Sequence, residues 1–231
     1  MRIWDVSPAY LNRQSLLGEH RELHGVVSIL TKNKKGYSRH PETLRWVGYG
    51  WALKKRHQMI VAEMTLRGYR DKTPVLIRKN NGSWPCKLID TPYDQILILR
   101  KKYIDKESGR LLIPENAQQI WRQHKYSILA RDPNLYGKIG RDVSTMKPSD
   151  NFSALANLLC ESLKKAPGAG GIKNALLHMW GYISEYSDFD KRQVNSIPDL
   201  LLFREIQKCS IMFGEAYLNS STALSELEVW L

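Results

Sequence analysis

The sequence predicts a mainly α protein made of two helical domains, residues 1–112 and residues 113–231. Two observations support this fold class. Apolar residues recur at helical spacing along most of the chain, and polar caps followed by proline recur where helices are expected to begin. A third observation, a change in charge balance between the halves, supports the division into two domains.

The main helix of the first half is predicted from residue 13 to residue 31. Ser7-Pro8 precedes it and has the form of an N-cap followed by a first-turn proline. Glu19 and Glu22 lie three residues apart, so they share a neighbouring helix face. The apolar face of this helix is expected to bury Leu16, His20, Leu23, Val27 and Leu30. His24 is expected to be exposed, and a basic loop over residues 32–41 follows.

The remaining elements follow from turn and breaker residues. A helical region is predicted over 41–67, with a break near 48–50. Residues 74–77 and 86–89 are predicted to be extended, with a turn at Asn80-Asn81-Gly82. Thr91-Pro92 begins a helix that is expected to end near Gly109. In the second half, helices are predicted over residues 115–130, 133–145, 150–165, 171–185 and 197–218.

Composition excludes several classes of protein. Hydrophobic residues make up 42% of the 231 residues and charged residues 25%, which is typical of a globular chain. No apolar run approaches the roughly 18–20 residues that a membrane span needs. Cys86, Cys160 and Cys209 are scattered and odd in number, which argues against a disulfide framework, a zinc site or an iron–sulfur cluster. We therefore expect no metal, no cofactor and a reducing cytoplasm.

The net charge of +12 is concentrated in the first half of the chain. Residues 1–110 hold 22 Lys and Arg against 10 Asp and Glu, whereas residues 111–231 hold 13 of each kind. A basic half beside a neutral half predicts one polyanion-binding domain and one domain with a different task.

The N-terminus offers a nucleophile. Arg2 is a long residue, and methionine aminopeptidase generally spares a methionine that precedes such a residue, so Met1 is expected to keep the α-amine. An α-amine loses its proton about two pH units below a lysine, which leaves a useful fraction nucleophilic at neutral pH. Beside a carboxylate, such an amine can attack a sugar C1′ and form a Schiff base.

Residues 1–72 resemble the pyrimidine-dimer DNA glycosylase family of the phage endonuclease V type, with its helical fold. The resemblance rests on Met1-Arg2, Gln14, the stretch from Glu19 to Leu23, and a later basic helix ending at Arg67-Gly68-Tyr69. It implies that Met1 is the nucleophile and that Glu22 is catalytic. The sequence departs from the family at Ser15 and Gly25, where the phage enzyme has a histidine and an arginine, and in using Met1 as the nucleophile.

The resemblance and the basic runs together predict the contacts with DNA. Aromatic residues are interleaved with the lysines and arginines of the basic runs, a pattern that is typical of proteins that bind a bent or flipped nucleic-acid strand. The expected partner is double-stranded DNA that contains damaged pyrimidines or abasic sites, and nucleoid association within the cytoplasm follows from it. The predicted DNA-binding residues are Arg2, Gln14, Arg21, Lys34, Lys35, Arg39, Lys54 and Arg56.

The second half resembles the YbgA-like domain, whose biochemical role is not established. The resemblance rests on the stretches 121–133, 178–182 and 197–201 and implies a helical fold without a reaction. His124 and Arg131 could form a polar site or serve packing and capping. The glycine-rich segment 168–171 is a candidate phosphate cradle, but it lacks the P-loop ending, and a flexible connection is favoured.

Three functional hypotheses follow. The leading one is a DNA-repair glycosylase with abasic-site lyase activity that proceeds by β-elimination. The alternative is a non-catalytic nucleic-acid-binding protein, with RNA among its possible targets, that keeps the fold without the chemistry. The third is an enzyme whose site lies in the second half. The lesion and the oligomeric state stay open.

Overall fold

The computed structural model describes residues 1–78 and 82–231, and within them every regular element is a helix. The prediction of a mainly α fold is confirmed. The chain divides into two compact units, Met1–Gly109 and Arg110–Leu231. None of the helices in the described ranges is long and apolar enough to cross a bilayer.

In the described part of the N-terminal unit, residues 1–78 and 82–109, there are four α-helices and one 3-10 helix. A 3-10 helix, Pro8–Tyr10, comes first, and the side chain of Ser7 accepts a hydrogen bond from the Ala9 nitrogen (3.3 Å), as its cap role predicts. The α-helices are α1 (Arg13–Lys32), α2 (Pro41–Arg45), α3 (Gly50–Leu66) and α4 (Pro92–Lys102).

Helix α1 begins where a side chain accepts a hydrogen bond from one of its first free N–H groups. The Asn12 side chain accepts from the Ser15 nitrogen at 2.9 Å. Leu16, Leu23 and Val27 are buried as predicted, and α1 packs against α3. His20 is only partly buried, so the predicted core histidine lies at the edge of the core.

The C-terminal unit is built from seven α-helices and two short 3-10 helices, as the structure describes it. The α-helices are α5 (Ala117–Leu129), α6 (Pro133–Thr145), α7 (Ser153–Ser162), α8 (Gly171–Trp180), α9 (Asp199–Met212), α10 (Ala216–Asn219) and α11 (Ala223–Glu226). The 3-10 helices are Val194–Ser196 and Leu227–Trp230.

Several predicted helices are too long. The helices predicted over 150–165 and 171–185 span Ser153–Ser162 and Gly171–Trp180. The helix expected over 197–218 is broken because Gly214 has a φ of +66°, a conformation that ends a helix and favours glycine. Glu215 then caps the next helix through the Tyr217 nitrogen at 3.0 Å. The helix expected to end near Gly109 stops at Lys102, and Asp105 has a positive φ shortly after it.

The segments predicted to be extended, 74–77 and 86–89, contain no helix, strand or bridge. The turn predicted at Asn80-Asn81-Gly82 falls largely outside the described residues. Of its three positions the structure describes Gly82, which has a positive φ.

Candidate active site

The first residues of the chain are held along α1 by two carboxylates. The backbone nitrogen of Arg2 donates to Glu22 Oε2, and the backbone nitrogen of Trp4 donates to Glu19 Oε1 at 3.0 Å. Alternate residues of the N-terminal segment thus bind carboxylates one helical turn apart. These two hydrogen bonds therefore fix the path of the N-terminal segment along α1.

Glu19 is the structural member of this pair. Its side chain is fully buried, and Arg56 binds both of its oxygens, with nitrogen–oxygen distances of 2.7 Å and 2.8 Å. Burial raises the pKa of the Glu19 carboxyl, while the charge of Arg56 opposes that rise. Arg56 also donates to the Val6 carbonyl at 2.8 Å, so the pair fixes the N-terminal segment to α3.

Glu22 faces an open cleft of about 310 Å³. Gln14, Gly18 and Glu22 recur every four residues of α1, and therefore lie on one face of the helix. A β-carbon built on Gly18 would meet nothing within 4 Å, so the cleft floor has room there. The lining residues are Arg2, Trp4, Gln14, Ser15, Gly18, Glu19, Glu22, Ile98 and Lys102.

The Met1 amine lies close to the Glu22 carboxylate through covalent geometry. Three bonds separate the amine nitrogen from the Arg2 nitrogen, which itself donates to Glu22. A carboxylate so close to an α-amine can exchange protons with it and stabilise a cation formed on it. The structure thus places an α-amine beside a carboxylate at the edge of the cleft.

Residues 1–76 match the family model described as pyrimidine dimer DNA glycosylase. Residues 125–226 match a second family, described as a protein of unknown function, DUF1722. The two predicted resemblances are confirmed at these positions. No curated protein and no solved structure matches the chain.

The match to the glycosylase family supports a glycosylase-type function that acts on DNA. It includes every residue that the sequence assigned to the site. The cleft extends beyond the matched residues, since Ile98 and Lys102 come from α4. Sequence analysis missed Lys102, although the run Arg100-Lys101-Lys102 in the last turn of α4 signals a cation there.

Arg2 lines the cleft with its charge already partnered. Its guanidinium pairs with Asp90 and lies 4.7 Å from the centre of the Trp4 ring. Lys102 approaches the same ring, with 6.0 Å between its Nζ and the ring centre. Two cations therefore lie at one wall of the cleft.

The prediction that Arg56 contacts DNA is wrong, because its side chain is buried. The sequence places it in a basic run with Lys54, and this run was expected to face DNA. The structure buries Arg56 against Glu19, because α3 presents this position to the core, whereas Lys54 is only partly buried. Its guanidinium therefore stabilises the fold of the N-terminal unit.

The other predicted cations do not line the cleft. Arg21 is exposed on α1, and its Nε donates to the Leu17 carbonyl at 3.2 Å. Lys34, Lys35 and Arg39 are exposed between α1 and α2. A second depression, of about 730 Å³, brings together Lys35, Tyr37, Ser38, Arg39 and His40.

No cluster of metal ligands is apparent in the sequence, but folding brings four potential ligands together. His20, His24, His57 and Asp71 converge, with their ligand atoms within 4.8 Å of one another. Burial lowers the pKa of His57 to about 4 and also lowers the pKa of His24. The helical spacing of His20 and His24 was a signal for this cluster. His57 and Asp71 are distant from these histidines in the sequence and join the cluster only when the chain folds.

The two polar candidates of the second half, His124 and Arg131, have buried side chains, and only Arg131 lies within the residues that match DUF1722. His124 is fully buried, and its Nδ1 lies 3.0 Å from the Ile120 carbonyl. Burial lowers the pKa of His124 to about 4. Arg131 pairs with Glu226 and donates to three backbone carbonyls. Both residues serve packing and capping.

Proposed function

We propose that the N-terminal unit is a DNA glycosylase with abasic-site lyase activity on damaged pyrimidines. The Met1 α-amine is the nucleophile and Glu22 the acid–base residue. The observation that carries the proposal is the hydrogen bond from the Arg2 nitrogen to Glu22 beside an open cleft. The glycosylase-family match over residues 1–76 supports it independently.

The proposed reaction begins with attack of the amine on C1′ of the damaged nucleotide. A bond forms from nitrogen to C1′, and the bond from C1′ to the base breaks with its electron pair, which a proton then neutralises. Opening of the sugar ring gives an imine between Met1 and C1′. Glu22 stabilises the cationic sugar and transfers the protons of these steps.

Strand cleavage follows because the imine makes the C2′ protons acidic. Removal of one of them expels the 3′ phosphate by β-elimination, and hydrolysis of the imine regenerates the amine. Every group that these steps require belongs to the protein, the nucleic acid or water. In the proposed reaction, Glu22 removes the C2′ proton.

The lysines and arginines at the surface of the N-terminal unit supply the proposed contacts with double-stranded DNA. Cationic side chains contribute most of the sequence-independent affinity for a phosphate backbone. Arg2 would exchange Asp90 for a phosphate, and Gln14 would contact the strand at the cleft. The remaining proposed contacts are Arg21, Lys34, Lys35, Arg39 and Lys54. A DNA substrate would place the protein at the nucleoid of the cytoplasm.

Borohydride trapping tests the proposal. Duplexes that carry an abasic site or a cyclobutane thymine dimer are incubated with the full chain, and intact mass first verifies a free Met1. We expect a covalent adduct at the Met1 amine on both duplexes. Glu22→Gln keeps an acceptor for the Arg2 nitrogen but should slow strand cleavage roughly 10²- to 10⁴-fold.

The exposed Glu107→Gln is the matched control in the same unit and should leave cleavage unchanged. An adduct on the abasic duplex alone would retain the lyase and refute dimer excision. DNA binding without an adduct on either duplex would overturn the enzymatic proposal and favour the non-catalytic binding protein.

A further inference from the structure

We propose that His20, His24, His57 and Asp71 form a binding site for a divalent transition metal of the zinc class. The site lies in the N-terminal unit and goes beyond the proposed DNA chemistry, because it involves none of the residues assigned to that chemistry. Its four ligand atoms lie within 4.8 Å of one another.

Three separate segments bring these ligands together. His20 and His24 lie four residues apart on α1, so their side chains project from one face of the helix. His57 comes from α3, and Asp71 follows α3 in the chain. The ring centroids of the three histidines are 4.7 Å, 5.0 Å and 5.3 Å apart.

The histidine face of α1 differs from its cleft face. Successive residues rotate by about 100° around a helix, so His20 and His24 lie well round the axis from Glu19 and Glu22. A metal held by these histidines would therefore leave the cleft open. The two sites can be tested by separate substitutions.

His57 contains a buried polar atom with no hydrogen-bond partner. Its Nε2 lies 3.6 Å from Asp71 Oδ2, beyond hydrogen-bond distance. A buried polar nitrogen without a partner costs stability, and such groups are rare in folded proteins. Because His57 is only 7% exposed and Nε2 is directed toward the carboxylate, a metal bound between them would satisfy it.

Thr73 holds the carboxylate in place. Its backbone nitrogen and its hydroxyl donate to Asp71 Oδ1 at 3.0 Å and 2.9 Å. The same carboxylate oxygen is 3.2 Å from His20 Nε2. Metal ligands are commonly oriented by such outer hydrogen bonds, which also tune the affinity of the site. The Thr73 hydroxyl further contacts His24 Nε2 at 3.1 Å.

The donor set selects the class of metal. Three imidazoles and one carboxylate suit zinc and neighbouring transition ions, whereas magnesium and calcium prefer oxygen ligands. Zinc binds nitrogen at about 2.0–2.1 Å in a tetrahedral site, so the four side chains would close inward on binding. Four protein ligands without an open position are typical of a structural site. Such a site would join α1 to α3 near the segment that carries Asp71.

Metal titration of the full chain tests the proposal. The protein is stripped with a chelator and then titrated with zinc, and separately with cobalt, which reports tetrahedral geometry through its visible absorption. We expect one equivalent to bind, with tetrahedral cobalt bands, without a thiolate charge-transfer band, and with a higher Tm. His24→Gln and Asp71→Asn should each weaken binding by roughly 100-fold or more, since even loss of outer hydrogen bonds costs about 10- to 100-fold.

His178→Gln is the matched control, because it removes an exposed histidine outside the cluster. Circular dichroism verifies that each variant keeps its helices, and Thr73→Val gives a milder substitution with an expected loss of about tenfold. Octahedral cobalt bands, or zinc affinity that His24→Gln and Asp71→Asn leave unchanged, would overturn the site. A failure of borohydride trapping would not, because the two readouts are independent.

Discussion

Gln14 and Glu22 of the N-terminal unit line an open cleft, whereas His124 and Arg131 of the C-terminal unit lie in the interior. All four were candidate site residues in the sequence. Arg131 uses its guanidinium on Glu226 and on the carbonyls of Ser127, Leu163 and Lys165. Its capacity to donate hydrogen bonds is therefore committed to the fold.

The contrast teaches that residue type does not decide whether a polar group is available for chemistry. Arg56 makes the same point within the N-terminal unit, because its guanidinium is bound to Glu19 and to the Val6 carbonyl. A functional group needs both the right chemistry and unused bonding capacity. Glu22 meets the second condition through its place at the cleft.

The strongest test of this contrast compares Arg56→Met with Arg131→Met. Each substitution leaves a buried carboxylate without its cation, Glu19 in one unit and Glu226 in the other. We expect each to lower the free energy of unfolding of its own unit by about 3–5 kcal/mol. Hydrogen exchange read peptide by peptide measures the two units separately.

The two variants should differ in activity per folded molecule. Arg56→Met loosens the segment that leads to Met1, so strand cleavage should fall along with stability. Arg131→Met should leave cleavage by the folded fraction unchanged. Equal losses of cleavage from both variants would contradict this difference between the units. They would indicate that the second half contributes to the active site.

Acid sensitivity gives the next largest effect. His124 has a pKa of about 4 in the folded protein against an ordinary value of 6.5, so the unfolded chain binds a proton that the folded chain excludes. The resulting stability is complete above about pH 6.5 and is lost as the pH falls toward 4. The loss is about 1.4 kcal/mol per pH unit, or roughly 3 kcal/mol in total.

Urea unfolding of wild type and His124→Gln between pH 7.5 and pH 5 measures this slope. The variant should show a flatter decline in the C-terminal unit, and the exposed His178→Gln should follow wild type. Parallel curves for all three proteins would mean that His124 does not determine the loss of stability in acid.

The smallest effect concerns space in the cleft. Gly18→Leu adds a side chain where the cleft is open, and we expect strand cleavage to slow on the order of 10- to 100-fold through misplaced substrate. Gly25→Leu is the matched control, because Gly25 is on α1, has equal room for a β-carbon and does not line the cleft.

Both leucine variants should slightly stabilise α1, since glycine is about 0.8–1.0 kcal/mol less favourable than alanine within a helix. Thermal melts record that gain, and gel assays record the cleavage rate. Similar rates for Gly18→Leu and Gly25→Leu would show that the substrate does not enter this cleft.

The sequence was sufficient for most helices, because their signals are local. The proline and cap at Asp132-Pro133 correctly predicted α6 as Pro133–Thr145. The break at Gly214 was missed, because the sequence alone does not distinguish a glycine that adopts a positive φ and ends a helix from a glycine that is tolerated within one. The division of the chain into independently folding domains, with a boundary at residue 112, stays a prediction.

Long-range pairing limited what could be predicted of the site. Glu19 and Glu22 have the same residue type and similar sequence surroundings, yet only Glu19 meets the buried Arg56 from α3. That distinction depends on which residues of α3 face α1. His57 and Asp71 join His20 and His24 for the same reason, and helical spacing alone indicates only the two histidines on α1.

The hydrogen bonds from the nitrogens of Arg2 and Trp4 to Glu22 and Glu19 use main-chain donors. Every amino acid except proline supplies the same donor. A change of side chain at position 2 or 4, whether genetic or introduced by chemical peptide ligation, therefore leaves both hydrogen-bond donors in place. Proline at position 2 or 4 is the substitution that would release this anchorage.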